Sequence, residues 1–171
     1  MAIRAVQREY ARLSGDDADL TPKDICDIAD GKSPGDKAAA AEAFRLFGQA
    51  AGDAMATAVS LTDSLVVIGG GLTGAAHHIF PALFDEMRSN LKTASGESVG
   101  RVQMKVYDLD DEEQFNQLAT SGEVKLKVYG SDRTVSYLRD KVTGVAISKL
   151  GASRAISIGA YVFALTQIDN K

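Results

Sequence analysis

Apolar residues recur along this chain at helical spacing in some stretches and at alternate positions in others, and the two periods together predict a chain of both helices and strands. Ile3, Val6, Tyr10 and Leu13 mark a short helix over residues 3–13, which Ser14-Gly15-Asp16-Asp17 ends. Thr21-Pro22-Lys23-Asp24 and Ser33-Pro34-Gly35-Asp36 then repeat one design: a hydroxyl, a proline without an N–H, and an acid. That order suits a helix start, because the hydroxyl takes an orphan amide and the acid faces the positive helix end. The second start opens a helix to about Leu61, with Phe44, Phe47, Ala51, Met55 and Ala58 as its core stripe. Ala40, Ala43, Gly48, Gly52 and Ala54 keep its neighbouring positions small. Another element is expected to pack close against its backbone.

Leu65-Val66-Val67-Ile68 reads as a strand buried on both faces, and it runs directly into Gly69-Gly70-Gly71-Leu72-Thr73-Gly74. A helix is predicted to restart at Pro81 and continue to about Leu91, with Phe80, Leu83, Phe84 and Met87 on its apolar face, and residues 93–100 read as loop. Val102, Met104 and Val106 alternate with polar residues as a half-buried strand does, and residues 110–118 read as a short acidic helix. Val124, Leu126 and Val128 alternate with Lys125 and Lys127, a solvated strand face. Further strands are expected around Val135 and Tyr137 and over residues 144–147. The final helix, from Ser153 to about Gln167, sets Ala152, Ala155, Gly159 and Ala160 opposite Ile156, Val162, Phe163 and Leu165.

Composition narrows the class. A length of 171 residues with 45% hydrophobic content fits a single α/β domain over residues 1–171, long enough to bury a core. The formal charge of −4 gives no general footprint for nucleic acid, and no stretch is apolar enough to span a bilayer. Met1-Ala2-Ile3-Arg4 opens a charged, amphipathic segment and not a signal peptide, so a cytoplasmic location is expected. The single cysteine, Cys26, excludes an internal disulfide and reads as a small apolar residue on a short helix.

The triple glycine is the leading chemical feature. Removing every Cβ at the carboxyl end of a parallel strand lets backbone approach a flat base or a phosphate, and that end is where open α/β sheets bind ligands. A tight turn needing positive φ is the plainer reading. The segment Gly69 to Gly74 satisfies G-x-G-x-x-G, but a dinucleotide fold also wants an acid ending a second strand about 20 residues on, which falls here in the loop around Ala94. A Walker A loop is excluded, since no Gly-Lys-Ser/Thr follows. His77 and His78 suggest a metal, yet adjacent helical residues point about 100° apart, so the reading assigns them no ligand role. Asp108, Asp110, Asp111, Glu112 and Glu113 can hold a hard cation or supply charge to a helix N-terminus, which is the plainer role. Lys149-Leu150-Gly151-Ala152-Ser153-Arg154 precedes the last helix, where Ser153 reads as an N-cap.

Three segments together resemble the carboxyl half of a ROK-family sugar kinase of the bacterial glucokinase type. They are Pro34-Gly35-Asp36 with its alanine-rich helix, Leu65 through Ala75, and Ile147-Ser148-Lys149-Leu150-Gly151-Ala152-Ser153-Arg154-Ala155 leading into Ile158-Gly159-Ala160-Tyr161. The likeness covers nearly the whole chain. It implies part of a ribonuclease-H-like lobe of the actin-like ATPase fold, with helices packed on a mixed sheet. It also implies that Gly69, Gly70, Gly71 and Leu72, with Thr73, line the adenine and ribose of ATP or ADP bound with Mg²⁺. The last helix would be the connector between lobes.

Other family elements have no match here. They are the Asp-Gly-Gly phosphate hairpin, the catalytic aspartate, the second glycine-rich hairpin and the histidine and cysteine zinc cluster near the sugar site. The resemblance therefore implies the nucleotide-binding part of an ATP-dependent hexose kinase, converting glucose to glucose 6-phosphate, inactive without the amino-terminal part. No residue here is assigned as catalytic or as a metal ligand. The triple-glycine strand would be left with an open edge, favouring the complementary half or self-association as a homodimer. A noncatalytic nucleotide-binding module, or the regulatory module of a ROK-type transcriptional regulator, is the alternative, though a regulator needs a DNA-binding helix pair that is missing.

Overall fold

The computed structural model describes residues 4–16, 19–120, 122–138 and 140–169. The first helix, α1 (Arg4–Ser14), buries Val6 and Tyr10, while Ile3, the first of its expected apolar positions, lies outside the described residues. The second, α2 (Pro22–Ala29), starts as its sequence predicts. The Asp24 amide donates to the Thr21 hydroxyl, and the Asp24 carboxylate accepts from the Thr21 amide at 2.8 Å, closing a capping box.

The long helix, α3 (Lys37–Thr62), begins later than expected. Its N-cap is Asp36, whose carboxylate accepts from the Ala39 amide at 3.0 Å, and not Ser33. Gly35 sits at φ 151° and turns the chain before the helix, while the Tyr10 hydroxyl accepts from the Asp36 amide. A carboxylate one residue ahead of the helix reaches the third amide directly, so the hydroxyl three residues earlier has nothing left to cap. Phe44 and Ala51 are buried as predicted, but Ala58 and Ala54 are exposed and the core contact passes to Ala56 and Val59.

The strand β1 (Val66–Ile68) pairs in parallel with β7 (Val142–Ile147), which pairs in parallel with β4 (Lys105–Asp108). This three-stranded sheet, in the order β1-β7-β4, is parallel throughout, where a mixed sheet was expected. Central β7 buries Thr143, Gly144 and Val145, and the Thr143 hydroxyl donates to the Ser64 carbonyl at 2.9 Å, fixing the entry to β1. On edge strand β1, Val66 and Ile68 pack against the core, but Val67 is 68% exposed and Leu65 is exposed beside it. One face of that strand is covered and the other is open. The expectation of burial on both faces fails because no described element covers the Val67 side of this edge strand.

After β1, residues Gly71–Ala75 form a turn of 3-10 helix that leads into α4 (Ala76–Met87). Pro81 lies inside α4, not at its start. The helix begins five residues earlier than predicted because Ile79, Leu83 and Phe84 bury on both sides of the proline. Where α3 and α4 cross, a Cβ on Gly48 would collide with the carbonyl of Ile79, so the close approach expected of the small residues is real. Arg101 joins the same pair of helices through Asp53 and Glu86, and Arg88 donates to the Val106 carbonyl and to Gln114.

Residues 93–100, expected to be loop, form most of a hairpin of β2 (Asn90–Lys92) and β3 (Ser98–Gly100). Its turn closes through the Thr93 amide and the Glu97 carbonyl at 2.9 Å, with Gly96 at positive φ. A three-residue strand is too short for alternation to register. The short helix α5 (Glu112–Thr120) follows β4, and β5 (Glu123–Lys127) and β6 (Thr134–Leu138) form a second antiparallel ribbon. The apolar positions of that ribbon, including Leu126 and Tyr137, are exposed. The last helix, α6 (Ala152–Asp169), exposes Ile156, Tyr161, Phe163 and Leu165.

Candidate functional site

The carboxyl ends of two parallel strands meet at the triple glycine. The Ile68 carbonyl at the end of β1 accepts from the Ser148 amide just beyond β7 at 2.8 Å. Gly70 then takes φ 113° and ψ −178°, a conformation that is essentially restricted to glycine. A Cβ on Gly69 would make ordinary contact with Ser148, whereas Cβ atoms on Gly70, Gly71 or Gly74 would meet nothing within 4 Å. Positive φ therefore accounts for Gly70, as the plainer reading requires, but not for Gly71 or Gly74. The Thr73 hydroxyl donates to the Gly70 carbonyl at 2.8 Å, so it closes the turn.

Two cavities flank this turn. One, of about 300 Å³, is apolar and lies among Phe47, Met55, Ile68, Gly69, Leu72, Thr73 and Phe80. The other, of about 340 Å³, carries polar groups: Cys26, Asp30, Lys32 and His77 face Gly71, Leu72 and Gly74 across it. Leu72 lines both. The five residues Gly69, Gly70, Gly71, Leu72 and Thr73 thus form one turn, with its open backbone toward the polar cavity and its packed side toward the apolar one.

The polar cavity holds a cluster that spacing along one helix did not disclose. Asp30, at the end of α2, accepts from Lys32 at 2.7 Å on Oδ2, while Oδ1 meets Nε2 of His77 at 2.9 Å and Nε2 of His78 at 2.7 Å. Two consecutive helical side chains diverge at their Cβ atoms, yet imidazoles are long enough to bend back onto one acceptor supplied by another helix. The two rings lie 4.1 Å apart, and Phe44 stacks on His78 at 5.8 Å. Bonds from His77, Lys32 and His78 hold the Asp30 carboxyl well below the usual carboxylate range. Burial, with the negative charges of Asp30 and Asp27, pushes the half-buried Cys26 thiol up. The signal for this cluster in the sequence was the i, i+4 pair Cys26 and Asp30; its partners come from α4, 47 residues on.

The acidic run after β4 is committed to structure. Asp111 accepts from the Gln114 amide at 2.8 Å at the start of α5, and Asp110 accepts from the Ile147 amide and pairs with Lys149. Ser153 is not the cap of α6, which starts at Ala152 after Gly151 turns the chain at φ 70°. No described helix is long and apolar enough to cross a membrane.

A parallel strand end, a Cβ-free turn and a cavity against it define an α/β protein whose candidate ligand site is this turn. A similar solved structure is a glucokinase. The chain is similar to glucokinase from Parabacteroides distasonis ATCC 8503, with 48% identity and a TM-score of 0.82 over 96% of its own length. It spans 44% of that glucokinase. The match bears out the resemblance to glucokinases read from the glycine turn and its flanks. No protein-family model and no curated relative matches the chain.

Proposed function

We propose that this chain is the nucleotide-binding part of a ROK-type, ATP-dependent hexose kinase, with glucose as its sugar. The observation that carries the reading is the empty space over Gly71 and Gly74, at the carboxyl ends of parallel strands, in a chain 48% identical to a glucokinase. In this proposal the backbone of Gly69 to Leu72 accepts the adenosine face of Mg-ATP. Lys32, on the rim of the polar cavity, offers a cation toward the phosphates. The base that takes the sugar hydroxyl proton and the phosphate cradles are supplied by the rest of the kinase. Mg²⁺ would neutralise the transferring phosphoryl group there. The lobe belongs, in this reading, to the actin-like ATPase fold, with α6 as the connector, and the protein acts in the cytoplasm.

The open side of β1 at Leu65 and Val67, and the apolar residues of α6, are proposed to meet that remaining part of the kinase. The support is the coverage of 44%, which leaves more than half of the matched glucokinase without a counterpart here. A homodimer is the other outcome that sedimentation can return. No finding favours the regulator module.

The test is calorimetric titration of Mg-ADP into the chain and into Gly71→Val. A Cβ on Gly71 meets no protein atom within 4 Å, so the substitution falls in open space, and a melting curve matching the parent's shows that the variant keeps its fold. Saturable binding lost in Gly71→Val supports the reading. Equal binding by both proteins places the nucleotide elsewhere.

A further inference from the structure

We propose that Cys26, Asp30, His77 and His78 form a Zn²⁺ site that ties the end of α2 to the start of α4 beside the glycine turn. One ligand atom from each lies within 4.8 Å of the others. A tetrahedral ion with Zn–N near 2.0–2.1 Å and Zn–S near 2.3 Å needs the ligand atoms of this set roughly 3.3–3.6 Å apart. Reaching that spacing lengthens the two Nε2–Oδ1 separations from 2.9 and 2.7 Å and closes the widest one, which the proposal assigns to side-chain rotation. The donor set is one thiolate, two imidazoles and one carboxylate, which selects zinc or cobalt over the oxygen-seeking magnesium and calcium.

The surroundings fit an ion as well as the ligands do. Both imidazoles already present Nε2 to a single point, Oδ1 of Asp30, and an ion placed between the three replaces two hydrogen bonds by three coordinate bonds. Lys32 holds the other carboxylate oxygen, leaving Oδ1 to coordinate alone, as an outer-shell partner does. A thiolate and a carboxylate together balance the charge of the ion. The packing of Phe44 against His78 restricts one ring to the required side. None of the four ligands is a residue proposed for the nucleotide; Lys32, which holds Asp30, is the one residue common to both, and Co²⁺ binding is read without nucleotide, so either proposal can fail without the other.

The probe is Co²⁺, which reports geometry and sulfur ligation by absorbance, followed by Zn²⁺ in competition. One Co²⁺ per chain is expected, with tetrahedral visible bands and a near-ultraviolet thiolate-to-cobalt band, displaced by Zn²⁺, and Zn²⁺ should raise the thermal midpoint. Because Cys26 is the sole cysteine, that band can have one origin. Cys26→Ser should abolish it. His78→Gln and the more exposed His77→Gln should each weaken binding more than about 10-fold, the least that even an outer-shell partner costs. Folded protein that shows no saturable Co²⁺ binding overturns the proposal, as does full affinity in both histidine variants.

Discussion

Gly52 of α3 faces the backbone of Leu83 in α4 with no room for a side chain: a Cβ there would lie 2.5 Å from the Leu83 carbonyl oxygen. The Glu86 Cβ, at 2.8 Å, blocks the same space. The two helices therefore meet backbone to backbone, and their separation is set by the absence of one carbon atom. Helix propensity alone says that Gly52→Ala should stabilise by about 1 kcal/mol. Crowding against a main-chain oxygen works the other way, because backbone cannot rotate aside as a side-chain tip can. Overpacking of that kind costs on the order of 1–3 kcal/mol and sometimes more. A main-chain oxygen at 2.5 Å puts the crowding at the upper end of that range, so the net expectation is a loss of about 2 kcal/mol in urea unfolding. A variant as stable as the parent would mean that α4 slides freely on α3.

The small residues that produce this crossing were legible before any coordinates, and so was the glycine turn, because both depend on what a missing Cβ permits. The capping box at Thr21 and Asp24 was equally legible, since all its partners lie within four residues. Other features were hidden for a common reason: their cause lies far along the chain. The start of α4 ahead of Pro81 follows from burial against α3, and the exposure of Val67 follows from which sheet face the helices cover. The Asp30 cluster escaped because a helical wheel ranks residues of one helix by direction, whereas the cluster is assembled from two.

Pro81 supplies the second prediction. It sits in the interior of α4 on the exposed side, so its ring contributes little packing while its nitrogen gives no hydrogen bond to the His77 carbonyl. An interior proline costs a helix about 3 kcal/mol, partly offset by the freedom it removes from the unfolded chain. Pro81→Ala should therefore raise the unfolding free energy by about 2 kcal/mol. Chemical denaturation of the two proteins checks it. A decrease would show that the proline fixes a bend on which the α3 contact depends.

Asp110 gives the third, through pH. Its carboxylate accepts the Ile147 amide at 2.7 Å and pairs with Lys149, tying the loop before α5 to the end of β7 and so to the strand that pairs with β1. Burial pushes its pKa up, but the Lys149 and Ile147 bonds outweigh this and leave it below the ordinary carboxylate value. A group whose pKa is lowered on folding stabilises the fold above the unfolded pKa, and that contribution disappears as pH falls through the folded one. Asp110→Asn keeps an acceptor for the amide and loses the charge facing Lys149. The variant should melt below the parent at about pH 7, and the difference should begin to shrink below about pH 4, the unfolded carboxylate value, and go on shrinking as pH falls toward the lowered folded one. Melting curves across that range decide the matter. A constant gap would mean that Asp110 acts through shape and not through charge, and that the junction between β7 and the glycine turn is held by the strand pairing alone.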